Sequence, residues 1–439
     1  MEYDVIVVGG GLAGCAAALS AKRRLERVLL INDKPGATRM STGMFDIDPD
    51  PAKPRAAEIP DNPSFEANLK ALAIANPYHP YSALGGASAR ESFEDAIHFF
   101  MASLAAGGQQ AEGGMDRHLL LIGNLGTMKR TRFALPGLAA GDIREPGAMR
   151  IAFVGFEGLN EFNAAFVAKS ADAAAIRIFG RGFDKVESYE ISLQGADGFS
   201  NMTPFQIAGL LDQPGYAEKL AEKINSFLPR GEYTHLALPA VMGIERAGDI
   251  LAILSKALGM EAFEIATVQP SVPGDRLMRA LQAALDKAGV ETVSGRAAGF
   301  TASSGAISSI TAELPYGAKQ EFQTRGAILA SGKFIGGGIK HGAQLQETLF
   351  DLPVFVKDKP VRNAVMMDLL TEKIVDRQQL FACGVRIDTS LRPLDEEGNP
   401  AFENLMCAGS IIGGYDPMFD RCGAGVSIIT GALAGNYIG

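Results

Sequence analysis

Three glycines near the N-terminus are spaced to hold a phosphate group. They form a G-x-G-x-x-G pattern after the apolar run 3–8, which predicts a buried parallel strand, and before an alanine-rich stretch that predicts a helix. Glycine at these positions allows a tight turn, a close approach of a pyrophosphate and close packing of the helix on the strand. The N–H groups at the start of the helix are free to bind an anion. The predicted cradle consists of Gly9, Gly11, Leu12, Ala13 and Gly14.

Asn32 is the predicted contact for the ribose of an adenosine. In dinucleotide-binding units, an acidic residue usually ends the second strand and binds the ribose hydroxyls. Here the run 27–31 predicts the second strand, which is followed by Asn32 and Asp33. An amide bonds a hydroxyl less strongly than a carboxylate does. We therefore expect a weaker contact with the adenosine half of a dinucleotide than with its phosphates.

Three later segments distinguish a flavin from a nicotinamide cofactor. An NAD-dependent dehydrogenase would continue with alternating strands and helices, whereas segment 38–46 is rich in small hydroxyl residues and glycine. This segment resembles the loop that runs beneath the pyrophosphate and isoalloxazine in two-dinucleotide-fold flavoproteins. Segments 324–332 and 404–414 resemble the second and third motifs of these proteins, with Ser410 in place of an acidic residue. The contacts predicted in the three segments are Ser41, Thr42, Gly43, Ser331, Gly332, Gly409 and Ser410.

Small residues at helical spacing near the C-terminus predict a tightly packed helix over 423–437. Its first turn, Gly423, Ala424 and Gly425, would direct unpaired N–H groups at the pyrimidine edge of a flavin. Because reduced flavin is anionic there, a helix N-terminus would stabilise it by ~0.3–1 kcal/mol at an exposed site. Taken in this order, the four regions predict a flavoprotein.

The order of predicted elements indicates an α/β fold with two parts. One is a Rossmann-like FAD/FMN-binding domain with a central parallel sheet, and the other is an inserted α/β cap or substrate domain. Residues 1–47 and 262–439 form the discontinuous flavin-binding domain, and residues 48–261 form the insertion. The proline-rich stretch 48–63 predicts a loop that leaves the cofactor domain, and 299–314 predicts a β-meander.

Composition excludes several other classes of protein. The chain has 439 residues, with 41 Lys and Arg against 50 Asp and Glu, a net charge of −9. An acidic chain without a basic block is a poor nucleic-acid binder, because phosphate neutralisation dominates that affinity. Four widely spaced cysteines predict no metal site in this chain and a reducing compartment. No apolar run reaches the ~18 residues that a membrane-spanning helix needs.

The chain resembles the B subunit of the anaerobic, quinone-linked glycerol-3-phosphate dehydrogenase of bacteria and archaea. The resemblance covers nearly the whole sequence, and the segments that carry it are 9–14, 41–43, 76–82, 269–276, 329–332, 336–338 and 409–417. It implies oxidation of glycerol 3-phosphate, a small phosphorylated polyol, to dihydroxyacetone phosphate, with electrons passed to quinone. It also implies two partners, a larger flavoprotein (the A subunit) and an iron–sulfur protein (the C subunit) that reaches the membrane. The protein would then be cytoplasmic and peripheral to the inner face of the cell membrane.

The resemblance implies FMN as the cofactor, and the residues leave the choice open. Asn32 fits FMN better than FAD, because it makes a weak ribose contact. The glycine pattern fits FAD better, because it is suited to a pyrophosphate. We therefore expect a flavin and keep both forms.

Four side chains are candidates for the implied chemistry, transfer of a hydride from a secondary carbinol to flavin. His79 is the predicted base for the hydroxyl proton, and Arg276 the predicted clamp for the substrate phosphate. Lys333 follows the second flavin segment, and Arg421 precedes the closing helix, where a cation would stabilise reduced flavin.

Two other functions stay open. One is a flavin-bearing electron-transfer or scaffold subunit without substrate chemistry, and the other is a flavin oxidoreductase related to fumarate reductase. Cations that converge on a pocket would favour direct substrate oxidation, and a pocket without them would favour electron transfer.

Overall fold

The computed structural model describes residues 2–34, 36–49, 64–193, 201–342, 344–373, 376–417 and 419–439. Within these residues, the helices and strands enclose two hydrophobic cores. The predicted loop 48–63 lies outside the described residues from residue 50 onward. None of the described helices is both long and apolar enough to cross a bilayer.

A five-stranded parallel sheet lies at the centre of the first core and confirms the predicted Rossmann-like fold. Its strands are, in spatial order, Glu291–Ser294, Val28–Asn32, Val5–Val8, Ala327–Leu329 and Leu405–Cys407. The inner strands are continuous apolar runs, because the sheet is buried on both faces. The chain order reverses at Val5–Val8, because one neighbour, Val28–Asn32, follows it closely in sequence and the other, Ala327–Leu329, comes from the last third of the chain. In such sheets, ligands bind in the crevice beyond the carboxyl ends of the strands at the reversal.

Two helices that begin at predicted cofactor segments pack against each other and against this sheet. They are Leu12–Lys22, which we call the glycine-turn helix, and Gly423–Tyr437, which we call the closing helix. The closing helix spans the residues predicted for it. Its Gly431 and Gly435 allow the close contact, because a Cβ at either position would overlap a backbone oxygen of the glycine-turn helix.

Further elements surround this pair of helices. Arg90–Ala106 packs against the closing helix, and Val272–Ala288 packs against the glycine-turn helix. A second sheet is an antiparallel meander that contains the predicted 299–314 region; its strands are Arg296–Ser303, Ala306–Glu313 and Lys319–Thr324, and Glu2–Tyr3 pairs in parallel with the last of them.

The remaining elements are short. The helices are Phe65–Ala75, Pro80–Ala83, Pro136–Ala139 and Gln379–Ala382, and the 3-10 helices are Gly36–Met40, Gly86–Ala89, Pro146–Ala148, Pro315–Gly317, Met366–Leu369 and Gly409–Ile411. The strands are Met44–Phe45, Glu112–Gly113, Leu119–Ile122, Met128–Thr131, Phe133–Ala134, Ile339–His341, Leu345–Glu347, Phe355–Val356 and Lys359–Pro360.

The second core belongs to another parallel sheet, which we call the cap sheet. Its strands are, in spatial order, Lys185–Ile191, Arg150–Phe156, His235–Pro239 and Glu261–Ile265. Its helices are Ala164–Phe179, Pro204–Leu211, Tyr216–Asn225 and Ala247–Leu258. The insertion is thus an α/β unit of its own.

The cores divide the chain differently from the predicted boundaries at residues 48 and 261. The edge strand Glu261–Ile265 belongs to the cap sheet, so a boundary after residue 261 cuts through it. Helices Phe65–Ala75 and Arg90–Ala106 bury their apolar faces in the first core. We therefore propose that the first core includes these helices and that the cap sheet extends to Ile265.

Candidate functional site

Two glycines of the turn, Gly9 and Gly14, have no room for a side chain, whereas Gly11 faces open space. Gly9 has a φ of 109°, and a Cβ there would overlap the carbonyl oxygen of Ala330. A Cβ at Gly14 would overlap the carbonyl oxygen of Gly9. At Gly11, the nearest atom to a Cβ is Thr38 Oγ1 at 3.3 Å, and no other lies within 4 Å. Gly11 therefore leaves room on the side where a phosphate would approach.

Side chains of the protein hold part of this turn. Asn32 Oδ1 accepts a hydrogen bond from the N–H of Gly10 at 3.1 Å, and Thr38 Oγ1 accepts one from the N–H of Leu12 at 3.0 Å. The predicted ribose contact Asn32 thus supports the turn, and its amide nitrogen remains for a hydroxyl. Sequence reasoning assigned no role to Thr38, although it lies in the segment that resembles the flavoprotein loop. Among the described residues, nothing accepts a bond from the N–H groups of Gly11 and Ala13.

The sixteen predicted cofactor residues include four, Gly9, Asn32, Ser331 and Gly409, that lie at or within two residues of the carboxyl ends of the parallel strands. Eleven of the sixteen are half-buried, as expected for the lining of a crevice: Gly9, Gly11, Leu12, Asn32, Ser41, Thr42, Ser331, Gly332, Ser410, Gly423 and Ala424. The other five, Ala13, Gly14, Gly43, Gly409 and Gly425, are buried. The buried ones pack against the protein itself; a Cβ at Gly409, for example, would lie 2.5 Å from Ala13 Cβ. We call the half-buried set the cofactor crevice.

Two features of the cofactor crevice fit a flavin with its phosphate. Ser331 Oγ is buried and has no hydrogen-bond partner among the described residues. At the closing helix, the N–H of Gly425 donates to the carbonyl of Asp46 at 2.9 Å, whereas nothing in the described chain accepts from Gly423 or Ala424. Unsatisfied donors at helix starts and an orphaned hydroxyl are the groups that phosphate and flavin oxygens bind.

The predicted base His79 is buried and contacts only protein atoms among the described residues. Its side chain is fully buried, Nδ1 accepts the N–H of Tyr81 at 3.1 Å, and Nε2 lies 3.3 Å from Cys422 Sγ. Burial and the positive charge of Arg377 lower the pKa of His79 to about 3. The ring is therefore neutral and both of its nitrogens face protein atoms.

His79 instead fixes the start of the closing helix, together with its neighbours. Asn76 Nδ2 donates to the carbonyl of Gly414 at 2.6 Å, and a Cβ at Gly414 would overlap the carbonyl of Tyr78. Segments 76–82 and 409–417, which both carried the family resemblance, therefore interlock beside Cys422. The flanking prolines of His79 indicated a loop but not its burial.

Arg276, the predicted phosphate clamp, is likewise buried and bonded within the protein. Its guanidinium donates to both carboxylate oxygens of Glu264, at 2.6 and 2.9 Å, and its Nε donates to the carbonyl of Gly243 at 2.8 Å. Glu264 also accepts the N–H of Met242 at 3.0 Å. The side chains of Arg276 and Glu264 are 3% and 0% exposed. This buried pair ties the edge strand Glu261–Ile265 and the helix Val272–Ala288 to the segment that follows the strand His235–Pro239.

Lys333 and Arg421 both lie next to the cofactor crevice, in different environments. Lys333 is buried, and its Nζ donates to the carbonyl of Phe381 at 2.7 Å. Arg421 is half-buried and has a left-handed φ of 55°, and its side chain makes no hydrogen bond or ion pair within the described part of the chain. A left-handed backbone at a residue other than glycine is uncommon and concentrates at functional sites.

The fold and the cofactor crevice define a flavin-binding protein, in which a reversal in a parallel sheet meets the glycine turn and the closing helix. A family profile described as "FAD binding domain" matches residues 4–426. The chain therefore belongs to this family, and a flavin is its cofactor.

Full-length relatives carry a more particular name. The B subunit of the anaerobic glycerol-3-phosphate dehydrogenase of Yersinia pestis bv. Antiqua (strain Antiqua) is 26% identical and covers 100% of this chain and 98% of its own. The probable B subunit of the same enzyme of Halobacterium salinarum (strain ATCC 29341 / DSM 671 / R1) is 29% identical and covers 99% and 97%. A solved 3-ketosteroid delta1-dehydrogenase from Sterolibacterium denitrificans is 13% identical over 99% of both chains, with a TM-score of 0.44. The chain is thus similar to flavoprotein dehydrogenase subunits.

Proposed function

We propose that this chain is a flavin-bearing subunit of a glycerol-3-phosphate dehydrogenase complex that delivers electrons to quinone. Full-length relatives with that name support the substrate and the multi-subunit assembly. The partners in this proposal are a larger flavoprotein and an iron–sulfur protein, which would hold the complex at the inner face of the membrane.

Within the complex, we propose that this chain transfers electrons and that its partner removes hydride from the substrate. The buried state of His79 and Arg276 carries this proposal, because oxidation of a carbinol needs a base and a phosphate clamp that reach the substrate. Direct oxidation of glycerol 3-phosphate by this chain is the alternative. A related fumarate-type oxidoreductase is a weaker alternative, since the full-length relatives do not carry such a name.

The cofactor crevice assigns parts to the residues of this chain. The open side of Gly11 and the free amides of Gly11 and Ala13 would receive the phosphate, and Ser331 Oγ would donate to the cofactor. The amides of Gly423 and Ala424 would face the pyrimidine edge. A bound flavin supplies a two-electron acceptor that the side chains themselves do not provide.

Arg421→Ala should lower the midpoint potential of the bound flavin. The side chain of Arg421 has no partner among the described residues and precedes the free amides of the closing helix, so its charge is available to the reduced, anionic ring. Because an arginine stays protonated, the decrease should be the same from pH 6 to pH 9. Spectroelectrochemical titration measures it, with Arg325→Ala, an exposed surface arginine, as the matched control. An unchanged potential would place Arg421 away from the cofactor.

Anaerobic titration tests the division of labour between this chain and its partner. The purified, flavin-loaded chain is mixed with glycerol 3-phosphate while the flavin absorption is recorded, with dithionite as the control for a reducible flavin. We expect no bleaching until a catalytic amount of the larger flavoprotein partner is added. Bleaching by the single chain would overturn the electron-transfer role and support direct oxidation. Persistence of the oxidised spectrum with the partner present would contradict the assigned substrate.

A further inference from the structure

Lys333 is a buried ammonium group without an ion pair. Its side chain is 6% exposed, and one hydrogen bond, to the carbonyl of Phe381, is its polar contact among the described residues. The ring of Tyr415 lies 5.5 Å from Nζ and contributes a cation–π contact. Buried lysines are rare in proteins unless they are paired, because leaving water is costly for a charge.

The acidic groups around Lys333 are engaged elsewhere. Asp420 forms a two-point ion pair with Arg377 and accepts the N–H of Asp416 at 2.9 Å. Asp416 accepts the N–H of Phe419 at 3.2 Å. These two carboxylates and the thiol of Cys383 act on Lys333 through space and favour its charged form. The charge of Lys333 is therefore only partly compensated.

The position of Lys333 connects this charge to the cofactor crevice. Lys333 follows Ser331 and Gly332, which form the turn after the strand Ala327–Leu329. A Cβ at Gly332 would lie 3.5 Å from Ser410 Oγ, so this turn touches the other crevice segment. The ring of Tyr415 that Lys333 contacts also packs against His79, which contacts Cys422 at the start of the closing helix. The buried ammonium group is thus connected by packing to both the Ser331 turn and the closing helix.

We propose that Lys333 supplies a protonatable positive charge next to the cofactor crevice, and that flavin reduction in this protein is linked to proton uptake at its Nζ. Two-electron reduction with uptake of one proton leaves one negative charge on the flavin ring. One further proton at Nζ compensates that charge. Lys333 acts through the electrostatic potential, without needing to touch the cofactor. The inference rests on flavin binding and not on the substrate of the complex.

The pKa of Lys333 is suited to proton uptake when the flavin is reduced. Burial lowers the pKa of Lys333 to about 8. A negative charge on the reduced flavin would raise the pKa of Lys333 above this value, because an opposite charge favours the ammonium form. Between the two pKa values, reduction takes up a proton at Nζ, and the midpoint potential falls more steeply with pH. Below about pH 8, Lys333 is protonated in both states and stabilises the reduced flavin.

Lys333→Met tests the proposal, because it removes the charge and keeps much of the length of the side chain. The flavin of the variant should have a lower midpoint potential than the wild type at pH 7. The difference in midpoint potential between the wild type and the variant should decrease as the pH rises above 8, because Lys333 of the wild type then loses its proton and its charge. Electrode titration with mediator dyes measures the potential at each pH and needs no substrate. Arg421→Ala provides the contrast, because its effect should not depend on pH.

Two further measurements keep the test decisive. Lys333→Gln retains a donor for Phe381 without the charge, so it should behave as Lys333→Met does; a wild-type potential in this variant would assign Lys333 a purely structural role. Lys340→Met, at an exposed lysine nearby in the sequence, should leave the potential unchanged. If the Lys333 variants lose flavin, the pH dependence of the midpoint potential of the wild-type protein becomes the test. Absence of an additional pH-dependent step in its potential above pH 8 would overturn the proposal.

Discussion

Gly11→Val should yield a folded protein that no longer binds flavin. The backbone at Gly11 is extended, with φ −79° and ψ −173°, which any residue adopts. The nearest atom to a Cβ is the hydroxyl of Thr38 at 3.3 Å, so a side chain meets little of the protein. It would instead occupy the space through which the phosphate reaches the amides of the glycine-turn helix. We expect the dissociation constant of flavin to rise at least ~100-fold, or ~2.7 kcal/mol.

Flavin content after purification and titration of the apoprotein measure this effect. Circular dichroism should show wild-type secondary structure and the unfolding temperature of the wild-type apoprotein. Gly14→Ala is the matched contrast, because its methyl group would overlap the carbonyl of Gly9 and disrupt the turn itself. Normal flavin content in Gly11→Val would show that the cofactor binds elsewhere.

Arg276→Ala should lower the stability of the protein by ~3–5 kcal/mol, because it leaves Glu264 as a buried, unpaired charge. The loss should appear as a lower urea midpoint by circular dichroism. The double variant Arg276→Met with Glu264→Leu should recover much of this stability, since both charges are then absent. The two side chains thus form a coupled pair that a double-mutant cycle can measure.

The exposed neighbour Arg279 provides the control for Arg276. Arg279→Ala removes an exposed ion pair with Glu245 and one of the two arginine partners of the buried Asp275, which keeps its ion pair with Arg39, and should cost about 1 kcal/mol. If Arg276 bound the substrate phosphate, as the sequence suggested, Arg276→Ala would keep its stability and raise the KM of the complex for glycerol 3-phosphate. That pattern would contradict the buried ion pair.

Local patterns were sufficient to predict the cofactor half of the fold. The glycine turn could be predicted because its spacing, between an apolar strand and an alanine-rich helix, is a local pattern of the sequence. The closing helix could be read because its small residues recur at helical spacing. The continuous apolar runs at Val5–Val8 and Ala327–Leu329 indicated strands buried on both faces.

The sequence did not indicate the surroundings of three predicted site residues. His79 is buried by Tyr415 and Cys422, more than 300 residues away, and nothing near His79 signals this. For Arg276 a signal did exist, because Glu264 is a carboxylate between the apolar residues Phe263 and Ile265 of a strand. A charge in such a strand requires a buried partner. Lys333 and its hydrogen-bond partner Phe381 are 48 residues apart, and only the structure reveals their contact.

The arrangement of the central sheet has a consequence for biosynthesis. Val5–Val8 leaves the ribosome early, but its neighbour Ala327–Leu329 is translated more than 300 residues later, and the closing helix later still. The four strands of the cap sheet lie close together in sequence, between Arg150 and Ile265, so this sheet can be completed before the central sheet. The nascent N-terminal segment must therefore remain unpaired on one side while the insertion folds, which exposes apolar strand edges to aggregation. Cofactor loading then follows translation, because the pocket walls are drawn from both ends of the chain.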